Sequence, residues 1–200
     1  MNKLDQIFNK NIEEYSRSYF DYLKQVLDGI DTKEIREFTE TLLDARHREA
    51  TIFFMGNGGS AATSSHFAND LAIGVNDYEK PFRVMSLTDN MAVISAIAND
   101  FGYDDIFSRP LSIYGKEGDV LIGISASGNS NNLIKAFEFA KSNGIRTVAI
   151  TAFDGGRMKV IADQGIHVPT EKAEYGPAED AHMILDHLVG SYLKKLIHEA

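Results

Sequence analysis

The sequence predicts a doubly wound α/β domain: a parallel five-stranded sheet covered by helices on both faces, preceded by an N-terminal helical hairpin. Three observations carry this. Residues 51–55 form a short, continuous apolar run, as expected for a strand buried on both faces, and 82–87, 120–124, 147–151 and 165–168 are further strand candidates. Stretches with helical apolar spacing lie between them, at 91–98, 132–141 and 158–162. The connections are short, and strand–helix alternation with short loops means right-handed βαβ units and hence parallel strands.

In chain order, Leu4, Ile7, Phe8, Ile12, Tyr15, Tyr19, Leu23, Val26 and Leu27 keep one helical stripe, which predicts a single long amphipathic helix ending near Gly29. Asp31 followed by Glu34 reads as a capping-box-like restart, and Ile35, Phe38, Leu42 and Leu43 mark a second helix. The first strand runs into Gly56-Asn57-Gly58-Gly59-Ser60 and then a helix from Ala61 to about Ile73. A last helix is expected from about Ala178 to His198. Residues 1–50 are therefore expected to pack on the core and at an oligomer interface. Residues 51–200 form the ligand-binding part of what is a single domain overall.

Charge and composition exclude several functions. The formal charge of −9 argues against a nucleic-acid or anionic-membrane surface, both of which need a basic footprint. A small phosphate is still permitted, because backbone N–H groups and hydroxyls can hold it. The absence of cysteine rules out disulfides and thiolate zinc sites but leaves His and carboxylate ligands open. No leader-type apolar region opens the sequence, and no run of about 18 apolar residues exists. The expected location is the cytoplasm.

In open parallel sheets, ligands bind beyond the carboxyl ends of the strands. Two such loops stand out. Gly56–Ser60 lies between a strand and a helix, where glycines allow close backbone approach and the helix N-terminus offers free N–H groups. A tight turn with Ser60 as helix cap is the plainer explanation. No Gly-Lys-Ser/Thr follows, so it is not a P-loop. It fits G-x-G-x-x-A loosely, but the acidic residue a dinucleotide site needs at the end of the next strand is misplaced, which disfavours that alternative. Ser125-Ala126-Ser127-Gly128-Asn129-Ser130 clusters hydroxyls suited to the oxygens of a phosphomonoester. It would also serve as an ordinary turn and helix cap. Two such loops on one side of one sheet favour binding of a phosphorylated ligand.

Histidines and carboxylates supply a further pattern. His66 and Asp70 stand four apart, on one face of a helix. Glu179, His182 and Asp186 share one stripe of the last helix. His187 lies about 80° round from Glu179 and about 12 Å further along the axis. Helix geometry therefore makes Glu179 and His187 poor partners on one ion, unless long side chains reach inward or a neighbouring subunit supplies one of them. A solvated polar face is the plain alternative.

Three blocks, MGNGGSAATSSHFANDL, AIANDFGYDDIFSRP and GISASGNSNN, resemble the signatures of the phosphoheptose isomerases, a branch of the SIS (sugar isomerase) proteins. The similarity runs in order over roughly residues 1–195. The resemblance implies that Ser125, Ala126, Ser127 and Ser130 hold the sugar phosphate, with alanine at 126 where the family has a hydroxyl. It implies that Asn57, Gly58, Gly59 and Ser60, the pair Asn99 and Asp100, and Glu179 also face substrate. It further implies one zinc ion per subunit on His66, Asp70, Glu179 and His187, with Asp70 and His187 as the acid–base pair. Two departures stand out: Asp70 replaces a longer Glu, and Glu179 replaces a neutral Gln.

The activity implied is aldose–ketose isomerisation of sedoheptulose 7-phosphate to D-glycero-D-manno-heptose 7-phosphate, for the heptose precursors of a lipopolysaccharide or capsule. One alternative is a non-catalytic phosphosugar- or partner-binding regulator, of the kind that associates with a replication initiator. That branch lacks a histidine matching His187. Another alternative is isomerisation of a different phosphosugar. The N-terminal apolar seam is long for one domain to cover and favours self-association over ordinary intramolecular burial, and the resemblance narrows this to a homotetramer with sites at subunit interfaces.

Overall fold

The computed structural model describes residues 2–199. Its strands are β1 (Thr51–Gly56), β2 (Arg83–Ser86), β3 (Val120–Ser125), β4 (Arg146–Thr151) and β5 (Gln164–His167). All neighbours pair parallel, in the order β2-β1-β3-β4-β5. The helices are α1 (Lys3–Ile7), α2 (Ile12–Asp28), α3 (Thr32–His47), α4 (Gly59–Asn69), α5 (Met91–Asp100), α6 (Ser108–Tyr114), α7 (Asn131–Ser142), α8 (Gly156–Ile161) and α9 (Tyr175–Glu199). The chain leaves β1 toward β2 at one edge, then crosses back to place β3 on the other side of β1. The topological switch point, where the crevice for a ligand opens in such sheets, therefore lies between β1 and β3.

Strand alternation divides the core into two layers. Ile52 and Phe54 of β1, Ile122 and Ile124 of β3, and Val148 and Ile150 of β4 pack against α2, α3, α4 and α9. Phe53 and Met55 of β1, Leu121 of β3 and Ala149 of β4 face the opposite layer with α6 and α7. In the first layer Phe67 of α4 stacks on Phe54 at 4.9 Å and meets Phe38 of α3 edge-on at 5.8 Å. In the second, β3 carries Gly123 where Phe137 of α7 presses on the sheet. A Cβ there would lie 2.5 Å from the ring.

Three local expectations are corrected. The N-terminal stripe is not one helix: α1 ends at Ile7, and α2 restarts after Asn11, whose side chain accepts from the Glu13 N–H. Asn9 and Asn11 accept local side-chain bonds, from the Asn11 and Glu13 N–H groups, that compete with helix continuation. Asp31 does cap α3, accepting from the Lys33 N–H at 2.9 Å, but Glu34 makes no reciprocal bond. Its carboxylate accepts from the His167 N–H at 2.8 Å and ties α3 to β5. Finally, Ser108–Tyr114 is helical and a short 3₁₀ turn spans Tyr103–Asp105, where apolar spacing showed no element.

The N-terminal arm is held by a buried carboxylate. Glu174, with no exposed surface, accepts from the Leu4 N–H at 3.1 Å, from the Glu171 N–H at 3.0 Å and from the Tyr22 hydroxyl. Burial and that bond push the Tyr22 phenol well above its usual range. α1, α2 and the approach to α9 thus meet on one side chain.

Candidate functional site

The register Gly56↔Ile124 brings the glycine loop and the serine loop side by side. They are joined directly. Asn57 and Asn132 exchange amide hydrogen bonds at 3.0 and 2.9 Å, and the Tyr103 hydroxyl donates to Asn57 Oδ1 at 2.9 Å. Neither Asn132 nor Tyr103 stood out in the sequence. Both lie inside the blocks that carry the family resemblance.

The serine loop is shaped before any ligand arrives. Gly128 has φ +61°, and a Cβ on it would lie 2.0 Å from the Gly155 carbonyl oxygen, so only glycine fits. Its N–H donates to Ser125 Oγ at 3.1 Å, and its carbonyl accepts from the Met158 N–H at 2.8 Å. Asn129 pins the loop by donating to the Ser127 carbonyl at 2.9 Å and accepting from the Arg157 N–H at 3.1 Å. Ser130 is the N-cap of α7, yet its hydroxyl makes no capping bond. The positive end of a twelve-residue helix lies there, on a loop that carries hydroxyls at 125, 127 and 130. Ala126 is buried and adds only its backbone.

The glycine loop differs. Gly58, at φ +56°, is the N-cap of α4, and Ser60 is buried within the first turn instead of capping it. Glu179 covers this helix end: a Cβ on Gly59 would lie 2.1 Å from Glu179 Oε2. A carboxylate at a helix N-terminus is electrostatically favoured, and it places negative charge where an anion would otherwise bind. Asn99 and Asp100 end α5 exposed and bonded to one another at 2.8 Å. They stand just before the 3₁₀ turn whose Tyr103 reaches Asn57.

Farther along α4 a second centre forms. His66 and His187 face each other with Nε2 atoms 3.2 Å apart. Asp70 Oδ2 lies 3.6 Å and Asp186 Oδ2 3.9 Å from His66 Nε2. These four residues offer ligand atoms within 4.8 Å of one another. Asp70 caps α4 and opens a π-helical turn, Asp70–Gly74, closed by the Val75 N–H on the Asp70 carbonyl at 2.9 Å. Such turns re-aim side chains and are frequent at functional sites. The group borders a cavity of about 210 Å³ lined by Asp70, Gly74, His187, Gly190, Ser191 and Lys194. Two imidazoles and two carboxylates at these separations are a donor set that suits a zinc-type dication.

Of the expected ligands, the chain brings His66, Asp70 and His187 together. Glu179 stands apart at Gly59, two turns back along α9. Asp186 takes its place in the group and has no exposed surface. Burial, and secondarily the Asp70 carboxylate, raise its pKa to about 7. His182, one turn earlier, is also buried, and desolvation lowers it to about 4.

Comparison with known proteins places the chain in a family. The SIS domain profile matches residues 14–152. A phosphoheptose isomerase from Clostridium acetobutylicum is 36% identical over 185 residues, 92% of this chain and 93% of that protein. One from Sulfurimonas denitrificans is 34% identical over 190 residues, 94% and 96% of the two chains. Among solved structures, a phosphoheptose isomerase from Neisseria gonorrhoeae superposes with TM-score 0.81 at 28% identity, covering 92% of this chain and 98% of its own. Full-length similarity at this identity, on a sheet whose switch point carries the serine loop, makes the chain a member of the SIS-domain proteins and, within them, of the phosphoheptose isomerase family.

Proposed function

We propose that this protein is an aldose–ketose isomerase that interconverts sedoheptulose 7-phosphate and D-glycero-D-manno-heptose 7-phosphate. The observation that carries the reading is the joined pair of strand-end loops at the β1/β3 switch point, with the His66 group on the helix that leaves the same crevice. The phosphate goes to the serine loop. There the α7 N-terminus and the hydroxyls of Ser125, Ser127 and Ser130 supply donors, whereas Glu179 repels an anion from the α4 N-terminus. Anchoring the phosphate turns remote binding into orientation of the reacting end. Asn57, Gly58, Gly59 and Ser60, with Asn99, Asp100 and Glu179, then line the path of the sugar hydroxyls.

Isomerisation moves a proton between adjacent carbons and needs a base, an acid and stabilisation of negative charge. Asp70 and His187 carry the proton transfers. Asn69 Nδ2 donates to Asp70 Oδ1 at 3.1 Å, which fixes the carboxylate plane. His66, Asp70 and His187 would hold a zinc ion, which when bound would supply Lewis acidity toward the sugar carbonyl. We further propose a cytoplasmic homotetramer feeding surface-polysaccharide synthesis. Exposed Phe8, Ile12 and Phe20 on the N-terminal arm support self-association. No helix among the described residues is long and apolar enough to cross a membrane.

The test is to incubate the protein with sedoheptulose 7-phosphate, with and without zinc, and follow carbon positions by NMR. Conversion to the aldose form is expected. Tight phosphosugar binding without turnover would support a binding regulator instead, and turnover of another phosphosugar alone would reassign the substrate.

A further inference from the structure

Asp186 is the most anomalous polar residue in the fold. It has no exposed surface, and neither carboxylate oxygen has a hydrogen-bond partner among the described residues. Among the described residues its one ion-pair neighbour is His66, at 3.9 Å. A buried carboxylate in this condition is unfavourable unless a cation compensates it. Helix geometry explains how it reaches the site. Asp186 and His187 are consecutive on α9, about 100° apart, so one approaches from the core and the other from the open side. His66 and Asp70, one turn apart on α4 and its π-helical extension, face them. In a tetrahedral site with metal–ligand bonds near 2.1 Å, ligand atoms stand about 3.4 Å apart. The separations at His66 Nε2 are 3.2, 3.6 and 3.9 Å to His187, Asp70 and Asp186. These are close to the edges of one coordination tetrahedron.

We propose that Asp186 is a ligand of the cation, so that this chain's donor set is His66, Asp70, Asp186 and His187, with Glu179 outside it. Two carboxylates balance the charge of a dication, and the two lone oxygens of Asp186 gain the partner they otherwise lack. Glu179 is then free to face substrate from the end of α4. The inference rests on the reading that the His66 group holds a metal.

The test strips the protein with a chelator and titrates Co²⁺ by absorbance and Zn²⁺ against a chromophoric chelator. The parent protein is compared with Asp186→Leu, Asp186→Asn and Glu179→Gln. One equivalent of metal is expected to bind the parent, with affinity reduced at least 100-fold in Asp186→Leu and at least 10-fold in Asp186→Asn. Glu179→Gln should stay within threefold. The metal-free Asp186→Leu protein should melt no lower than the metal-free parent, because the substitution removes an uncompensated charge. A merely structural role predicts the reverse: a lower melting temperature with affinity unchanged. Should leucine prevent folding, the nearly isosteric Asn variant decides the matter. Unchanged affinity in Asp186→Asn overturns the assignment of Asp186 alone. A parent protein that binds neither metal overturns it together with the metal reading.

Discussion

Replacing His182 with leucine isolates one buried titration. The imidazole is 1% exposed, lies against the backbone of Thr151, and neither ring nitrogen makes a hydrogen bond of normal geometry. Desolvation lowers its pKa to about 4 from an ordinary 6.5. The unfolded chain therefore binds a proton that the folded protein refuses between those values. Stability from this group is intact above pH 6.5 and drains away as pH falls toward 4. At pH 5 the loss is about 2 kcal/mol relative to pH 7, and at pH 4 about 3 kcal/mol. Without metal, Asp186 acts in the opposite sense. Its raised value of about 7 means that the folded state takes up a proton first, so its penalty is relieved as pH falls. The two effects mask each other in the parent protein, and the informative quantity is the difference between parent and His182→Leu. Urea unfolding of both metal-free proteins at pH 7 and pH 5 should show the variant gaining about 2 kcal/mol on the parent. Parallel stabilities at the two pH values would refute the argument, whatever the offset at pH 7.

Other predictions follow from the same geometry. Tyr22→Phe leaves the buried Glu174 carboxylate one donor short and should cost about 1–3 kcal/mol in urea unfolding, with the N-terminal helices becoming more protease-sensitive. Gly128→Ala drives a Cβ to within 2.0 Å of the Gly155 carbonyl oxygen at φ +61°. It should lower stability by roughly 2–4 kcal/mol and abolish detectable phosphosugar binding by calorimetry. In a double-mutant cycle, Asn57→Ala and Asn132→Ala should couple by about 1–2 kcal/mol, since each truncation removes both amide bonds between the loops. A coupling near zero would deny that the loops are held as a unit.

The central strands and the loops that follow them were legible in sequence because β1, β3 and β4 are buried on both faces. Continuous apolar runs are the local signature of that environment. The glycine and serine loops were legible for a related reason: positive φ and hydroxyl density are properties of the residues themselves. Boundaries set by side-chain competition were less visible. The break at 8–11 lies inside an unbroken apolar stripe, and only the capping role of Asn11 marks it. Glu34 shows the same limit, since its local spacing suits a capping box and its carboxylate instead bonds to β5.

The polar centre divides in the same way. His66 and Asp70 form a pair through local helix geometry, so four-residue spacing sufficed to find them. The distance along α9 that separates Glu179 from His187 follows from the helical rise per residue, and the fold keeps it. Which α9 side chains meet α4 has no such local rule. That depends on how two helices pack on one sheet layer, and the packing turns Asp186 inward to His66 while laying Glu179 over Gly59. Sequence thus determined the sheet, its phosphate-type loops and one helix's share of the polar centre. The tertiary structure alone decided which distant carboxylate joins that centre, because contacts between helices are set by a shared core and not by spacing along either chain segment.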